Sequence, residues 1–264
     1  MATQWISPTW RMPKNSNQSK VDNYSLEFSG SGEYISTSDI VVDYTTGWTV
    51  SFWFNINTVG QDSLMGRWDG NWRGAYAASS WSELRWYDGS NKTFDISTPS
   101  TGTWHHAVFT NDNGTLKCYL DGTESSTGSL TSSFNLTINR IGGGSGGWGG
   151  IADFDGKMAQ CCVFETALTL TQITALYNSG TPVNPMALTP LPIAYYPLGD
   201  TATGSSTTLT VPNDSVPDAT VFNFVESSTQ YIDIGTNNSV LMPTDELSIS
   251  LWVKFSAAAM GNRS

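Results

Sequence analysis

Two adjacent histidines, His105 and His106, could do chemistry as a metal site or as an acid–base pair. They lie in the stretch TGTWHHAVFTNDNG, whose apolar and polar residues alternate as in a β-strand. Successive side chains of a strand point to opposite faces of its sheet, so the two imidazoles diverge and cannot share one ion. A general base also needs an oriented partner, and the sequence shows none. We therefore interpret both histidines as parts of a sheet.

Three cysteines are the other nucleophilic residues of note. Cys118, Cys161 and Cys162 are too few for a disulfide framework, and they match no zinc-binding spacing. Cys161 and Cys162 also have no adjacent residue that could activate a thiolate. We predict buried free thiols, with a single bridge from Cys118 as the alternative.

The composition of the chain restricts the class of its partners. Twelve Lys and Arg against 23 Asp and Glu give a net charge of −11, which repels phosphate backbones and predicts no nucleic-acid binding. Acidic loops attract a hard cation such as Ca²⁺ instead. The sequence has no run of about 18 apolar residues, so we expect no membrane insertion. Its start lacks the apolar core of a signal peptide, and we expect none.

Short strands are the elements that must position these residues. Segments such as YSLEFSGSGEYIST and WTVSFWFNIN alternate apolar and polar residues, and Asp-Gly pairs predict hairpin turns between strands. One helix is predicted after Thr169, which has capping-box spacing to Gln172, and Gly180 is predicted to end it. The apolar face of this helix consists of Leu170, Ile173, Leu176 and Tyr177.

The chain then repeats itself. Tyr34 and Ile35 match Tyr231 and Ile232, and a similar Ser-x-Trp pattern recurs further along both copies. Such self-similarity indicates a tandem array of one domain type. We expect the second copy, at residues 193–264, to be incomplete, because it stops long before the length of the first.

The motifs GTWHHAVFTNDNGTLKCYLDG, NRIGGG and FDGKMAQCCVFETALTLTQITALYNSG together resemble those of the laminin G-like, concanavalin A-like lectin/glucanase superfamily. The resemblance implies an all-β fold, a two-sheet antiparallel jelly-roll sandwich with one short C-terminal helix, followed by a partial second sandwich. It predicts a polar N-terminal arm at 1–23, a jelly roll at 24–180, a Pro-rich linker at 181–192 and the incomplete repeat at 193–264. This jelly roll hosts lectins, hydrolases and adhesion modules, so the fold alone does not decide the activity.

Glucanases of this superfamily carry a Glu-x-Asp-x-x-Glu strand, whose carboxylates act as nucleophile and general acid. The present sequence has no Glu-x-Asp, and no Glu joins Asp153 and Asp155. We therefore predict a protein that is not an enzyme. Glycoside hydrolase activity elsewhere in a longer parent chain is the alternative.

The resemblance also implies a cation site. Related domains bind calcium between a loop after an early strand and the loop before the Asp-Gly-Lys strand, here GRWDGNWRG and GGGSGGWGGIADFDG. Asp69, Asn71 and Asp153 are the predicted Ca²⁺ ligands, and backbone carbonyls would complete the roughly six to eight oxygens that the ion takes. The alternative is that these residues serve only the turns, where Asp and Asn recur for backbone reasons.

Tryptophans in the same two loops suggest a sugar site. Trp68, Trp72 and Trp148 lie among Gly, Asp and Asn, and their flat indole faces suit the apolar face of a sugar ring. Arg73 could bond the hydroxyls of that sugar. The alternative is that these aromatic residues cover the ends of the sandwich. Three other tryptophans follow strand patterns and are predicted to be core: Trp53, Trp86 and Trp104.

These observations predict a non-enzymatic binding module whose leading ligand is a cell-surface or extracellular glycan. The fold is typical of extracellular surfaces, and a virion protein reaches such a surface without a signal peptide. Tandem modules with a polar arm resemble phage appendage or capsid-decorating proteins such as tail fibres, with other virion proteins as partners. Two alternatives stay open. One is a structural or decorating subunit without a ligand, and the other is an accessory domain of a carbohydrate-active enzyme.

Overall fold

The computed structural model describes residues 25–144 and 148–199, together with the backbone of 203–205 and 208–210. Two mostly antiparallel sheets face each other in these residues and enclose one hydrophobic core. This architecture confirms the predicted jelly-roll sandwich. The predicted N-terminal arm and nearly all of the predicted second repeat lie outside the described residues.

Eight strands form the first sheet: β1 (Leu26–Ser29), β3 (Trp48–Ile56), β8 (Trp104–Asp112), β9 (Thr115–Leu120), β10 (Thr123–Glu124), β11 (Leu130–Thr131), β14 (Asp155–Phe164) and β15 (Ala194–Tyr196). Their order along the main path is β1-β14-β3-β8-β9-β10. Strand β11 pairs with β9, and β15 pairs with β14.

Seven strands form the second sheet: β2 (Ile35–Val42), β4 (Asp62–Trp68), β5 (Trp72–Ala77), β6 (Glu83–Tyr87), β7 (Asn91–Asp95), β12 (Leu136–Ile141) and β13 (Ala152–Asp153). Their order is β2-β12-β4-β5-β6-β7, and the short β13 pairs with β4 in parallel. A separate hairpin consists of β16 (Thr203–Ser205) and β17 (Thr208–Thr210).

Large aromatic side chains fill the space between the two sheets. The ring of Trp48 on β3 lies 4.8 Å from that of Trp86 on β6, and Phe109 on β8 lies 5.3 Å from the same indole. Phe54 stacks on Trp81 at 5.3 Å. Each such side chain contributes roughly 1.5–3 kcal/mol by its burial. Within the described residues, most of the aromatic side chains are therefore buried.

Strand β3 is buried along all nine of its residues, on both faces of the first sheet. Its alternating pattern predicts a half-buried strand, so the structure differs from the prediction. The reason is a second apolar layer on the outer face of this sheet, which includes Val108, Cys162 and Phe164 from the strands. Ile173 and Leu176 of the helix complete this layer, and they cover what would otherwise be a solvated face.

The helix α1 (Leu170–Tyr177) begins as predicted and ends earlier than predicted. Thr169 caps it, and a full capping box with Gln172 satisfies both backbone N–H groups. The helix stops at Asn178, which adopts the left-handed conformation at φ 43°, two residues before Gly180. Ile173 and Leu176 are buried as predicted, whereas Leu170 is 55% exposed because it lies at the solvent side of the first turn.

All three cysteines are buried and unbridged, as predicted. Cys118 and Cys161 face the core between the sheets, and Cys162 belongs to the outer apolar layer. Burial raises the pKa of each thiol, because the thiolate would lose its hydration. The thiols are therefore packing groups.

Residues after the helix pack against the same sandwich. Strand β15 continues the edge of β14, with Val163 opposite Ala194 and Cys161 opposite Tyr196. Asn184 and Pro185, within the predicted linker, are also buried. This placement differs from the predicted domain limits at 180 and 193, because β15 fills the edge of β14 that β1 leaves unpaired.

The buried side chains of this segment predict the effect of two truncations. A chain that ends at Gly180 loses Tyr195, Tyr196 and Leu198, each less than a tenth exposed. The expected loss is on the order of 5 kcal/mol or more, comparable to the whole stability of many domains. We expect the chain ending at residue 199 to melt cooperatively in calorimetry, and the shorter one to show no transition or a much lower one. Equal melting temperatures would place the domain end at Gly180.

Candidate functional site

The imidazole of His106 is enclosed on the outer face of the first sheet. Its Nε2 lies 2.7 Å from the Oγ of Ser51, and the ring stacks at 5.0 Å on Trp53 and at 6.2 Å on Tyr177 of the helix. Burial lowers the pKa of His106 to about 3, so the ring stays neutral. The Ser51–His106 pair is closed to solvent, so no substrate reaches it.

His105 lies on the opposite face of β8 from His106, as the strand alternation predicts. Its Nδ1 is 2.7 Å from an Oδ of Asp121, and its Nε2 accepts a hydrogen bond from the backbone N–H of Ser100 at 3.2 Å. Sequence reasoning missed Asp121, although the Asp-Gly hairpin signal at this position could have indicated it. With both ring nitrogens engaged, the imidazole has no free lone pair for general-base catalysis. The pair ties β8 to the β9–β10 turn.

Asp62 is the carboxyl group whose acidity departs most clearly from its usual range among the described residues. Burial raises its pKa to about 6, although a hydrogen bond from the indole N–H of Trp81 at 3.2 Å opposes that change. The charge of Asp155 nearby adds to the rise. A raised carboxyl pKa is typical of catalytic acids, but a catalytic acid must reach its substrate. Asp62 is only 3% exposed, so we assign it to the core.

The predicted calcium ligands do not come together. Asp153 is opposite Ser63 at the start of β4, whereas Asp69 follows the other end of the same strand. Six residues of strand separate the two positions by roughly 20 Å. Calcium takes its ligands at about 2.3–2.6 Å, so one ion cannot bridge these carboxylates. The prediction that Asp69, Asn71 and Asp153 share one calcium site is therefore wrong.

The carboxylates of Asp69 and Asp153 already have partners within the protein. Asp69 forms an ion pair with Arg67 at 2.6 Å and accepts a hydrogen bond from the backbone N–H of Asn71 at 3.3 Å, as a turn residue does. Asp153 accepts hydrogen bonds from the backbone of Gly144 at 2.6 Å and Gly32 at 3.0 Å. Within the described residues, no group of three or more His, Cys, Asp or Glu could hold a metal ion.

The predicted sugar-binding residues are divided between two faces of the second sheet. Trp68 and Trp72 end β4 and begin β5, where they are directly opposite each other on the outer face. Arg73 follows Trp72 in the same strand and therefore lies on the other face. The loop placement expected for these residues is wrong, because the strands extend to the tip of the hairpin. Trp148 lies in a short 3-10 turn, and its side chain is outside the described residues.

Trp72 is fully buried, which corrects its expected role as an exposed sugar platform. Its ring lies over Gly66, where a Cβ atom would come within 2.9 Å of the indole. Tyr76 and Ile151 enclose it further, and Trp68 packs against this group and stays partly exposed. The glycine therefore lets the indole lie flat on the sheet, where it cannot bind a ligand.

The tryptophans predicted to be core are partly confirmed. Trp53 and Trp86 are buried, whereas Trp104 is 37% exposed and the prediction for it is wrong. Trp104 is the first residue of β8 and pairs with Asn55, at the end of the β3–β8 pairing. The alternation predicts its face correctly, but no neighbouring element extends far enough to cover it.

A cleft opens at the end of the sandwich beside the β4–β5 hairpin. We call it the rim cleft. Its cavity volume is about 30 Å³, well below the roughly 300 Å³ of enclosed ligand pockets, so it is a shallow surface depression. Its lining consists of Arg67, Arg73, Gly74, Trp86, Tyr87, Asp88, Phe134, Asn135 and Thr137. Of the predicted ligand-binding residues, only Arg73 lines it.

Aromatic and polar groups alternate around the rim cleft. Phe134 is 51% exposed, and Tyr87 is partly exposed beside it. Asn135 accepts a hydrogen bond from the backbone N–H of Tyr44 through its Oδ1, which leaves its amide NH₂ group for a ligand. The carboxylate of Asp88 is buried and accepts hydrogen bonds from Ser90 and Ser132.

Residues 29–174 match a family model described as the concanavalin A-like lectin/glucanases superfamily. No curated protein has a significantly similar sequence. A candidate carbohydrate-binding protein of Bacteroides ovatus is similar in structure, with a TM-score of 0.55 and 20% identity over 73% of this chain and 56% of that one. The present chain thus spans little more than half of that protein. At this identity the likeness shows the fold alone.

Two further structures are more distant. A heptameric SAP-like pentraxin from Limulus polyphemus has a TM-score of 0.49 and 15% identity, covering 63% of this chain and 86% of that one. A sialidase from Trypanosoma rangeli has a TM-score of 0.47 and 16% identity over 62% of this chain and 28% of that one.

Among the described residues, no helix has the length and apolar character to span a lipid bilayer.

The burial of Trp72 predicts that its removal destabilises the fold. Trp72→Ala should lower the free energy of unfolding by roughly 3–5 kcal/mol, because a large cavity replaces a fully buried indole. Trp72→Phe should cost less, since the buried indole Nε1 has no hydrogen-bond partner to lose. Trp104→Ala, at an exposed strand end, is the control and should cost about 1 kcal/mol or less. Denaturant unfolding that ranks Trp104→Ala as the more harmful change would contradict this assignment.

The raised pKa of Asp62 predicts a pH-dependent effect of Asp62→Asn. The folded carboxyl keeps its proton up to about pH 6, whereas the unfolded one loses it near about pH 4. The stability that Asp62 contributes is therefore complete below about pH 4 and is lost as the pH rises through about 6. Asn stays neutral, and its side-chain oxygen still accepts the hydrogen bond from the indole N–H of Trp81. Near pH 7.5 the variant should therefore be more stable than the unsubstituted protein by about 2 kcal/mol.

Near pH 4 the two proteins should unfold at almost the same denaturant concentration. A difference that does not change between the two pH values would mean that Asp62 is not desolvated in the folded protein.

Proposed function

Because the chain belongs to the concanavalin A-like lectin/glucanases superfamily, we propose that its sandwich is a non-enzymatic module that binds a glycan in the rim cleft. The observation that carries the proposal is the half-exposed ring of Phe134 inside this cleft. Single exposed apolar side chains are common on protein surfaces, but this ring adjoins Tyr87 and the polar side chains of Asn135 and Arg73 in one depression, and such a combination is typical of a ligand site.

The chemistry of the rim cleft suits a sugar. The rings of Phe134 and Tyr87 offer apolar surface for the C–H face of a pyranose. The NH₂ group of Asn135 and the guanidinium of Arg73 are hydrogen-bond donors for ring hydroxyls. These donors and rings lie in one depression, whereas the tryptophans on the outer face of the second sheet pack against each other.

The described histidines and the carboxyl group with the most raised pKa are bonded or buried within the protein, which supports a binding role without catalysis. His105 and His106 have protein partners, and Asp62 is enclosed in the core. A single shallow site exchanges most sugar hydroxyls between water and protein, so affinity per module should be about 0.1–1 mM. Several copies on one particle would then supply avidity.

We place this module in a virion surface or adhesion protein, such as a phage tail fibre, where tandem copies would meet a cell-surface glycan. A decorating subunit without a ligand and an accessory domain of a carbohydrate-active enzyme are the alternatives. Calcium binding stays a prediction. Any ion would need ligands other than a shared set of Asp69 and Asp153, and calorimetry with and without millimolar calcium would reveal it.

The proposal predicts the effect of Phe134→Ala. Multivalent display of the protein on a glycan array should show binding, and the substitution should reduce it at least about tenfold, by loss of the stacking surface. Its melting temperature should change little, because the ring is half-exposed. Trp104→Ala removes an exposed aromatic outside the cleft and should leave binding intact. If the intact protein binds no glycan, the decorating-subunit alternative becomes the leading one.

A further inference from the structure

The rim cleft contains an unusual arrangement of charge. Arg67 and Arg73 are opposite each other in the β4–β5 pair, and both side chains line the cleft. Like charges placed directly opposite on neighbouring strands repel each other and destabilise the pairing. Asp69 compensates the charge of Arg67 through an ion pair at 2.6 Å. Asp88, the carboxylate that also lines the cleft, is buried and is held by Ser132 at 2.6 Å and Lys92 at 3.8 Å. The guanidinium of Arg73 therefore has no ion-pair partner among the described residues of the cleft.

Arg73 differs from the other cations of the described chain. Residues 25–199 contain seven Lys and Arg, and five of them form an ion pair with a carboxylate. Arg140 lies over the ring of Tyr34 at 4.7 Å and donates to Ser36. Among the described residues, Arg73 alone has none of these partners, and its side chain is exposed. A free guanidinium on a chain with a net charge of −11 is unexpected, because acidic partners are abundant.

We propose that Arg73 recognises one carboxylate on the glycan, so that the ligand is an oligosaccharide with an acidic sugar among neutral ones. This inference rests on the proposed glycan-binding function. The planar guanidinium matches a carboxylate with two parallel N–H···O hydrogen bonds. An anion at this position would also relieve the repulsion between Arg67 and Arg73.

The charge of the whole molecule limits the ligand further. A polymer with a negative charge on every residue would meet the same repulsion as a phosphate backbone. A single carboxylate beside Arg73 is within the roughly 8–10 Å over which charges act at moderate salt, so the local cation decides its binding. The rim cleft should therefore prefer an isolated acidic sugar to both a neutral glycan and a polyanion.

A pair of matched probes tests this preference on the full chain. One probe is an oligosaccharide that ends in glucuronate, and the other is the same oligosaccharide with glucose at that position. NMR titration should show about fivefold tighter binding of the acidic probe, as expected for a partly exposed charge pair. Higher salt should reduce this ratio.

Variants separate the roles of charge and shape. Arg73→Gln keeps a hydrogen-bond donor for sugar hydroxyls but loses the charge, so it should bind the two probes equally, while Arg73→Lys should retain part of the preference. Lys117→Gln removes one positive charge from the first sheet and is the control for net charge. Melting temperatures of all variants should agree within a few degrees, since both side chains are at the surface.

The outcomes distinguish this inference from the function on which it rests. Equal binding of the two probes overturns the acidic-sugar inference and leaves glycan binding in place. A preference that persists in Arg73→Gln, or that disappears in Lys117→Gln, also overturns it. If neither probe binds and no glycan binds on an array, both the inference and the proposed function are wrong.

Discussion

The first sheet has to bury both of its faces, and the rest of the structure depends on that constraint. Its central strand β3 carries apolar or tightly bonded residues at every position. One face meets the second sheet, and the other face needs a cover of its own. The capped helix and the segment that leads to β15 provide this cover. A short helix that would be marginal alone is stable here because of the apolar layer beneath it.

Close approach of the helix to the sheet also determines local details. Tyr177 stacks on Trp53 at 5.9 Å and contacts the β9–β10 turn, where a Cβ atom at Gly122 would come within 3.0 Å of the tyrosine ring. The same Asp-Gly turn places Asp121 against His105. The two histidines therefore help to hold the helix and the β9–β10 turn against the sheet, His106 through Tyr177 and His105 through Asp121.

The cover on one side leaves the end of the sandwich as the open surface. The outer face of the second sheet is closed by its own aromatic residues, which pack around Trp72. Strands β4 and β5 extend beyond the core at their hairpin, so their last inward-facing side chains, Arg67 and Arg73, have no opposing sheet. Charged residues are tolerated there, and a ligand can reach them. The end of the sandwich thus locates the rim cleft, and Phe134 and Asn135 from the segment before β12 complete its lining.

The sequence by itself determined the features that arise from local periodicity: the β class, the divergence of His105 and His106, the capping box at Thr169 and the burial of the cysteines. Tertiary structure alone decided which aromatic residues are covered. Trp72 is buried because Gly66 of the neighbouring strand leaves room for its ring and the remote Ile151 packs against it, and Trp104 is exposed because no described element covers the start of β8. It also decided the separation of Asp69 from Asp153, which depends on the parallel pairing of β13 with the start of β4. Alternation fixes the face of a side chain, but only the packing of remote segments fixes what lies upon that face.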